Sequence, residues 1–292
     1  MSHVFEALKQ AELERGGKAP EAVELGELAT GLLQEQEIPT DRTWLDETAV
    51  VTAAPAADSR LIALTGGDTL GAEKFRLLRA RLRHLREKRQ LNRVAITSGV
   101  PDDGKTLVAC NLAVSLASHN AEKVLLLEGD LRKPTVGTQF GLKDLKGISE
   151  WAQEEAPLSD FIYRLENSGL FLLTAGKPAD DALKILHSSR FLEALAQIAG
   201  SFDWIIIDTP PLAPVADAHF WSRHADGVLL VVRQGRTPKT VLQKGLETLD
   251  GTSLLGVVLN DAPGAEHSYY YKYYDRGSRV LNNPPEASAN GQ

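Results

Sequence analysis

The chain has 292 residues, 43% of them hydrophobic and 24% charged, which suffices for one large globular domain with appendages. Its net charge of -7 argues against a general nucleic-acid binder, and its single cysteine, Cys110, excludes an internal disulfide. No apolar run approaches the roughly 18 residues of a membrane span, and the first residues lack the apolar core of a secretory signal, so a cytoplasmic location is expected.

The first 60 residues are expected to form a short helix and a weakly ordered linker. Residues 3–16 carry a roughly helical stripe of apolar side chains. Residues 17–60 are acidic and thinly apolar and contain glycine and proline, a composition typical of linkers. We therefore assign residues 1–60 to an extension that precedes the folded domain.

A basic amphipathic helix is predicted next, in GAEKFRLLRARLRHLRE. Phe75, Leu78, Leu82 and Leu85 recur at helical spacing, and lysine and arginine occupy many of the other positions. The simplest interpretation of these cations is a solvated helix face.

Short aliphatic runs then alternate with helical patterns as far as Asn260. The strand-like runs are RVAITS, KVLLLEGD, GLFLLTA, DWIIIDTPP, GVLLVVRQ and LLGVVLN. Such alternation is typical of an α/β fold with a doubly wound, mainly parallel sheet. It predicts a globular domain over residues 61–262 and a tail over residues 263–292.

A phosphate-binding loop is predicted directly after the first of these runs, where GVPDDGKT fits the pattern G-x-x-x-x-G-K-[ST]. In such a loop, N–H groups at a helix N-terminus hold the phosphates, Lys105 neutralises charge and the Thr106 hydroxyl ligates Mg²⁺. The alternative is a glycine turn before a core helix. The predicted nucleotide-binding residues of the loop are Gly99, Asp103, Gly104, Lys105, Thr106 and Leu107.

Acidic residues stand at the ends of two further strands. Asp208 follows the apolar run of DWIIIDTPP, and Glu128 and Asp130 close KVLLLEGD. A magnesium nucleotide site needs carboxylates at the ends of neighbouring strands, and Asp208 is expected to hold the metal through water. For each acid taken alone, an ordinary solvated strand end is the alternative.

Five of the six tyrosines crowd into HSYYYKYYDRG near the C-terminus. The run fits neither the period of a strand nor that of a helix. Either the segment is a sticky surface tail, or its phenol hydroxyls are themselves a substrate. The tyrosines concerned are Tyr269, Tyr270, Tyr271, Tyr273 and Tyr274.

In combination, VAITSGVPDDGKT, VLLLEGDLRKP, FDWIIIDTPP, the helix EKFRLLR and the tyrosine cluster resemble the bacterial tyrosine kinases of exopolysaccharide and capsule synthesis. The resemblance covers about residues 60–275. It implies a P-loop fold in which ATP, with Mg²⁺, phosphorylates the protein's own tyrosine cluster and so regulates polysaccharide synthesis or export. In the family the three nucleotide motifs are called Walker A, A′ and B.

The resemblance also implies roles for individual residues. The catalytic residues would be Lys105, Glu128, Asp130 and Asp208, and one of the A′ acids, Glu128 or Asp130, would assist removal of the tyrosine proton. The metal would be held by Thr106, Asp208 and Glu128. Asn260, at the end of LLGVVLN, would read adenine.

Further implications concern partners. The family's Glu-x-x-Arg-x-x-Arg helix is present as Glu73, Arg76 and Arg79, which implies a ring-like homo-oligomer. A membrane-bound activator of the polysaccharide machine and a tyrosine phosphatase would be the other partners. The protein would then be cytoplasmic and recruited to the inner face of the membrane.

Two departures from the family keep other functions open. Asp102 stands where glycine is common in the loop, and Glu128 replaces the usual first A′ aspartate with a longer arm. A nucleotide-binding regulator without catalysis is therefore one alternative. A positioning ATPase is another, but such relatives carry an extra lysine where this chain has Val100.

Overall fold

The computed structural model describes residues 42–65, 69–118, 122–212, 216–249 and 254–262. The chain divides into a unit of Met1–Pro39 and a unit of Thr40–Gln292, and all described residues belong to the second. The helix expected at residues 3–16 and the tyrosine tail lie outside the described residues.

The described strands form one eight-stranded sheet at the centre of this unit. They are β1 (Ala49–Val51), β2 (Arg93–Ser98), β3 (Val124–Glu128), β4 (Tyr163–Leu165), β5 (Leu170–Leu173), β6 (Trp204–Asp208), β7 (Gly227–Arg233) and β8 (Leu254–Asn260). Their order in the sheet is β1-β4-β5-β3-β6-β2-β7-β8, and all neighbours run parallel except β4 and β5, which are antiparallel. The predicted mainly parallel α/β sheet is thereby confirmed.

Helices connect the strands and cover the sheet. A 3₁₀ turn lies at Leu158–Phe161. The described helices are α1 (Trp44–Glu47), α2 (Ile62–Thr65), α3 (Leu70–Lys88), α4 (Lys105–Ala117), α5 (Val136–Gln139), α6 (Ile148–Trp151), α7 (Ala182–Leu186), α8 (Ser189–Ala199), α9 (Ala216–His224) and α10 (Lys239–Thr248). None of these is both long and apolar enough to cross a membrane.

The central strands are buried on both faces, which explains why their sequences are continuously aliphatic. In β3, Leu126 packs in the core cluster that contains α4, whereas Leu125 and Leu127 pack in the opposite cluster with Trp221. Strand β6 alternates in the same way. Because successive side chains of a strand point to opposite faces of the sheet, each of these strands contributes to both core clusters. The sheet is therefore held between the two clusters.

The N-terminal side of the sheet differs from the expected linker. Residues 49–51 form β1, which pairs with β4, and Leu45 of α1 is buried in the core. Three paired residues are too few to produce a recognisable alternation, and most of the surrounding polar residues are exposed, so the sequence pattern of this stretch is that of a linker.

The basic helix α3 is present as predicted. Leu82 is buried, and Phe75, Leu78 and Leu85 pack against the core from partly buried positions. Its N-terminus is capped by the side chain of Thr69, which accepts a hydrogen bond from the backbone N–H of Ala72. The helix therefore docks through its apolar stripe on the core cluster that contains α4.

We predict that Gly147→Ala destabilises the fold, because a Cβ there would overlap the carbonyl oxygen of Thr174 and the amide nitrogen of Gly176. Both are backbone atoms that cannot rotate away, so a loss of about 1–3 kcal/mol is expected in urea denaturation. Gly256→Ala is the matched control, since nothing lies within 4 Å of its new methyl group. Equal stability of the two variants would contradict this account.

Candidate active site

The sheet register brings the predicted acids to one edge. Glu128, the last residue of β3, lies opposite Asp208, the last residue of β6, and Asp208 also faces Ile96 of β2. Since β2 leads directly into the predicted phosphate-binding loop, the parallel strands bring the loop and both acids to the same carboxyl edge. Open parallel sheets bind ligands at this edge.

The loop of residues 99–104 takes two left-handed backbone conformations. Asp102 has φ 65° and Gly104 has φ 95°. Asp tolerates this region better than most residues, so the non-glycine residue fits the loop. At Gly104 a side chain is excluded, because a Cβ would overlap the amide nitrogen of Asn260.

Hydrogen bonds fasten the loop to the ends of β7 and β8. The buried Asp103 carboxylate accepts from the Thr237 hydroxyl (2.8 Å) and from the Val100 N–H (3.3 Å). The Asn260 side-chain amide donates to the Asp103 carbonyl (2.8 Å). Asn260, predicted to read adenine, thus lies against the loop and uses one amide N–H to hold it.

Arg233 adds a contact that the sequence analysis did not identify. Its guanidinium donates to the Asp102 carbonyl (3.3 Å) and to the Asp261 carboxylate (2.7 Å), which holds the pKa of Asp261 below its usual range. Asp261 follows β8 at the point where the chain continues toward the tail. One arginine therefore contacts both the loop and the residue that directly follows β8.

Four of the predicted site residues converge at the start of α4. Lys105 Nζ lies 3.3 Å from Asp130 Oδ2, and the Thr106 hydroxyl donates to Asp208 Oδ2 at 2.7 Å. Asp208 Oδ1 is buried, and no hydrogen-bond partner for it is found among the described residues. A buried carboxylate oxygen without a donor suits a bound cation or its water.

Burial raises the pKa of Asp208 to about 7, against the opposing effects of Lys105 and of the Thr106 hydrogen bond. The nearby acids Glu128 and Asp130 push it in the same direction as burial. A positive charge at the free oxygen would reverse this shift.

Glu128 is used differently from Asp208. Its carboxylate is buried and accepts hydrogen bonds from the backbone N–H groups of Thr135, of Val136 (2.6 Å) and of Ala175 (3.0 Å). Burial raises the pKa of Glu128, and these three hydrogen bonds oppose the rise. The structure thus brings Glu128 to the predicted edge but directs its oxygens at the backbone.

Helix α9 contacts the A′ segment, residues 128–132, which carries Glu128 and Asp130. Trp221 Nε1 donates to the Gly129 carbonyl (3.0 Å), and the buried Asp217 accepts from Arg132 Nε (2.8 Å). A Cβ at Gly129 would lie 2.5 Å from Trp221 Nε1, so only glycine allows this packing. No local sequence pattern marks Asp217 or Trp221 as partners of this segment.

The remaining predicted residues have these positions. Gly99 is buried beside Thr237, and Leu107 lines a cavity of about 300 Å³ together with residues 58–60 and Gln139. Within the described ranges, no group of three or more His, Cys, Asp or Glu side chains could hold a metal ion. Of the three predicted metal ligands, Thr106 and Asp208 contact each other, whereas both oxygens of Glu128 accept hydrogen bonds from backbone N–H groups.

The predicted oligomer residues lie on α3. Glu73 and Arg76 form an exposed ion pair within the helix. Arg79 instead donates to the Ser115 carbonyl (2.6 Å) and to the Ser118 hydroxyl (2.8 Å), at the C-terminal end of α4. A cation is favourable at that end of a helix. The predicted phosphoacceptors, Tyr269, Tyr270, Tyr271, Tyr273 and Tyr274, lie outside the described residues.

Comparison with known sequences gives two kinds of match. The AAA domain family matches residues 95–249. The tyrosine-protein kinase YwqD of Bacillus subtilis is 34% identical over 215 residues, which are 73% of this chain and 90% of YwqD. The succinoglycan biosynthesis transport protein ExoP of Rhizobium meliloti is 32% identical over 199 residues, and the match covers 62% of this chain but only 25% of ExoP.

Among solved structures, the chimerical protein CapA2B2 superposes with a TM-score of 0.66 at 30% sequence identity. The match covers 74% of this chain and 94% of the chimera.

We predict that the stability of the metal-free protein depends on pH through Asp208. With a folded pKa of about 7 and an unfolded value of about 3.9, the folded state holds a proton that the unfolded state has lost. Stability should therefore fall, by up to about 1.4 kcal/mol per pH unit, as pH rises from about 4 to 7.

Urea denaturation of wild type and Asp208→Asn in EDTA at pH 5, 6, 7 and 8 isolates this effect, because asparagine does not titrate. The free energy of unfolding of wild type, relative to that of the variant, should decrease up to about pH 7 and then stay constant. A difference that is independent of pH would contradict the assignment.

Proposed function

This chain belongs to the family of bacterial tyrosine kinases, and we propose that it transfers the γ-phosphoryl group of ATP to the tyrosine cluster of its own C-terminal tail. The chain is a protein-tyrosine kinase, and what is proposed is that its own tail is the substrate. The observation that carries the proposal is the convergence of Lys105, Thr106, Asp130 and Asp208 at the carboxyl edge of the sheet.

The site fits a magnesium nucleotide. Asp208 Oδ1 is buried and finds no donor among the described residues, and the Thr106 hydroxyl lies beside the same carboxylate. These two groups would hold Mg²⁺, with Asp208 acting through water. When bound, the ion neutralises the charge that develops on the transferred phosphoryl group.

The loop would bind the phosphates through the backbone N–H groups that open α4 and through Lys105. Lys105 now pairs with Asp130, at 3.3 Å between Nζ and Oδ2. Phosphate oxygens compete for the same ammonium group, so nucleotide binding would release the Asp130 carboxylate. Asp130 could then accept the proton of a tyrosine hydroxyl, whose unperturbed pKa near 10 requires such an acceptor.

The biological setting is proposed from the relatives. ExoP is by its name a succinoglycan biosynthesis transport protein, and YwqD is by its name a tyrosine-protein kinase. We propose that this kinase regulates exopolysaccharide synthesis or export from the cytoplasm. A membrane-bound co-polymerase would recruit and activate it at the inner face, and a tyrosine phosphatase would reverse the modification.

The second candidate function is a nucleotide-binding regulator or P-loop ATPase that phosphorylates nothing. The backbone engagement of Glu128 favours it, because one of the two A′ acids has no free oxygen for chemistry. That alternative does not explain why five of the six tyrosines lie together in the tail.

We predict that the purified protein incubated with Mg-ATP gains phosphate on the tail tyrosines, detected by mass spectrometry of the C-terminal peptide. Lys105→Met should lower the rate by roughly 10²–10³-fold, the usual cost of removing one group that stabilises transition-state charge. Lys184→Met is the matched control, because Lys184 is exposed on α7. ATP hydrolysis by the wild type without phosphotyrosine would favour the ATPase alternative.

A second prediction concerns assembly. We propose a homo-oligomer that forms through α3 and dissociates when tail phosphates, each adding about -1.5 to -2 charge, repel one another. Arg76→Ala is the cleaner test, because Arg79→Ala also removes the contacts with Ser115 and Ser118 and should lower stability by about 1–2 kcal/mol.

Light scattering before and after ATP should give an oligomer and then a monomer for wild type, and a monomer throughout for Arg76→Ala. Replacement of the five tail tyrosines by phenylalanine should preserve the oligomer. A wild-type mass that stays constant through complete phosphorylation would show that the proposed switch is wrong.

A further inference from the structure

The two acids of the A′ segment point in different directions. Asp130 Oδ2 lies 3.3 Å from Lys105 Nζ, while Asp130 Oδ1 accepts the N–H of Lys133 at 3.1 Å. Glu128 lies two residues earlier and is only 1% exposed. Of the two, Asp130 alone contacts a group of the phosphate-binding loop through its side chain.

Glu128 links the end of its own strand, β3, to two other segments of backbone. Oε1 accepts from Thr135 and Val136, where α5 begins, and Oε2 accepts from Ala175, just after β5. A carboxylate offers about four acceptor sites on its two oxygens, and three are used here. Neither oxygen of Glu128 is left without a partner, whereas Asp208 Oδ1 has none within the part of the chain that the structure describes.

The arm length of glutamate matters to this geometry. Aspartate would withdraw the carboxylate by about one C–C bond, roughly 1.5 Å. From contacts of 2.6 and 3.0 Å, that withdrawal exceeds the range of a hydrogen bond unless the backbone moves. Glutamate at position 128 thus suits an anchoring contact that aspartate cannot make on the same backbone.

Anchoring at Glu128 also sets the position of Thr135. Its hydroxyl lies 3.4 Å from the Thr106 hydroxyl, next to the proposed metal position. The segment between Glu128 and Thr135 carries Asp130, and it is held on its other side by Trp221 and Asp217 of α9. Loss of the anchor would therefore loosen the loop at both Asp130 and Thr135.

We propose that Glu128 is a positioning residue: its carboxylate fastens the loop that carries Asp130 and Thr135 to the end of β5, and Asp130 alone is the A′ acid that meets the substrate. The proposal rests on the proposed kinase function for its kinetic part. Its structural part stands on the hydrogen bonds alone, and each part has its own measurement.

The structural measurement is amide hydrogen exchange by NMR on the full-length protein in EDTA, without nucleotide. Glu128→Asp should speed exchange at Thr135, Val136 and Ala175 by at least tenfold, and Asp130→Asn should leave Ala175 unchanged. Asp226→Asn is the matched control. The Asp226 carboxylate accepts hydrogen bonds from the N–H groups of Asn92 and Arg93 at the start of β2, at the amino ends of the strands. It should speed exchange there and not at Ala175.

The kinetic measurement compares variants by the rate of tail phosphorylation. If Glu128 is an anchor, the equally long Glu128→Gln should retain at least as much kcat as the shorter Glu128→Asp, and both should fall by roughly 3–30-fold. Asp130→Asn should lose the 10²–10⁴-fold typical of a missing general base. If Glu128 were the base, the order would reverse and Glu128→Asp would exceed Glu128→Gln by tenfold or more.

The outcomes separate the two proposals. Unchanged exchange at all three amides in Glu128→Asp overturns the anchor, whatever the activity. A wild type that forms no phosphotyrosine overturns the kinase function, while the exchange result still decides whether Glu128 anchors the loop. Wild-type exchange on β7 in each variant verifies that the fold is intact.

Discussion

The site depends on the burial of β3, β6 and β2 on both faces of one mainly parallel sheet. Because their apolar side chains pack in core clusters on both faces of the sheet, these strands cannot slip in register without moving a whole row of side chains out of its core. Their ends are therefore fixed relative to each other. Glu128 and Asp208 lie opposite one another for that reason, and the loop after β2 opens beside them.

The same burial determines the electrostatics. Carboxylates at the ends of buried strands have little water, so each needs a partner or a raised pKa. The three acids meet this need in three ways: Glu128 accepts hydrogen bonds from backbone N–H groups, Asp130 pairs with the ammonium of Lys105, and Asp208, one oxygen of which has no donor among the described residues, has a raised pKa. The least satisfied of the three is the one best suited to a cation.

Local patterns were enough to predict six of the eight strands of the sheet, and the positions of the glycine loop after β2 and of Asp208 at a strand end, because each is encoded within about ten consecutive residues. What the sequence did not reveal are contacts between distant positions. Ala175 is 47 residues from Glu128, and Thr237 is 134 residues from Asp103. A single sequence carries no signal for such pairs. The direction of the Glu128 carboxylate is set by such distant contacts. The sequence therefore predicted that Glu128 lies at the site but not that its carboxylate accepts hydrogen bonds from the backbone. Strands β1 and β4 were not predicted for another reason: each has only three residues, and their order comes from pairing with neighbouring strands.

The strand order places the first and last described strands far apart. Strand β1 lies at one lateral edge of the sheet and β8 at the other, and the seven spacings of about 4.8 Å between them amount to about 34 Å. The described chain nevertheless begins away from the β1 edge, because Arg42 pairs with Asp203, directly before the central strand β6. Its last described residues, Asp261 and Ala262, follow the edge strand β8. A fluorescent label or a surface attachment at that position would therefore lie beside Arg233, which also contacts the loop at Asp102.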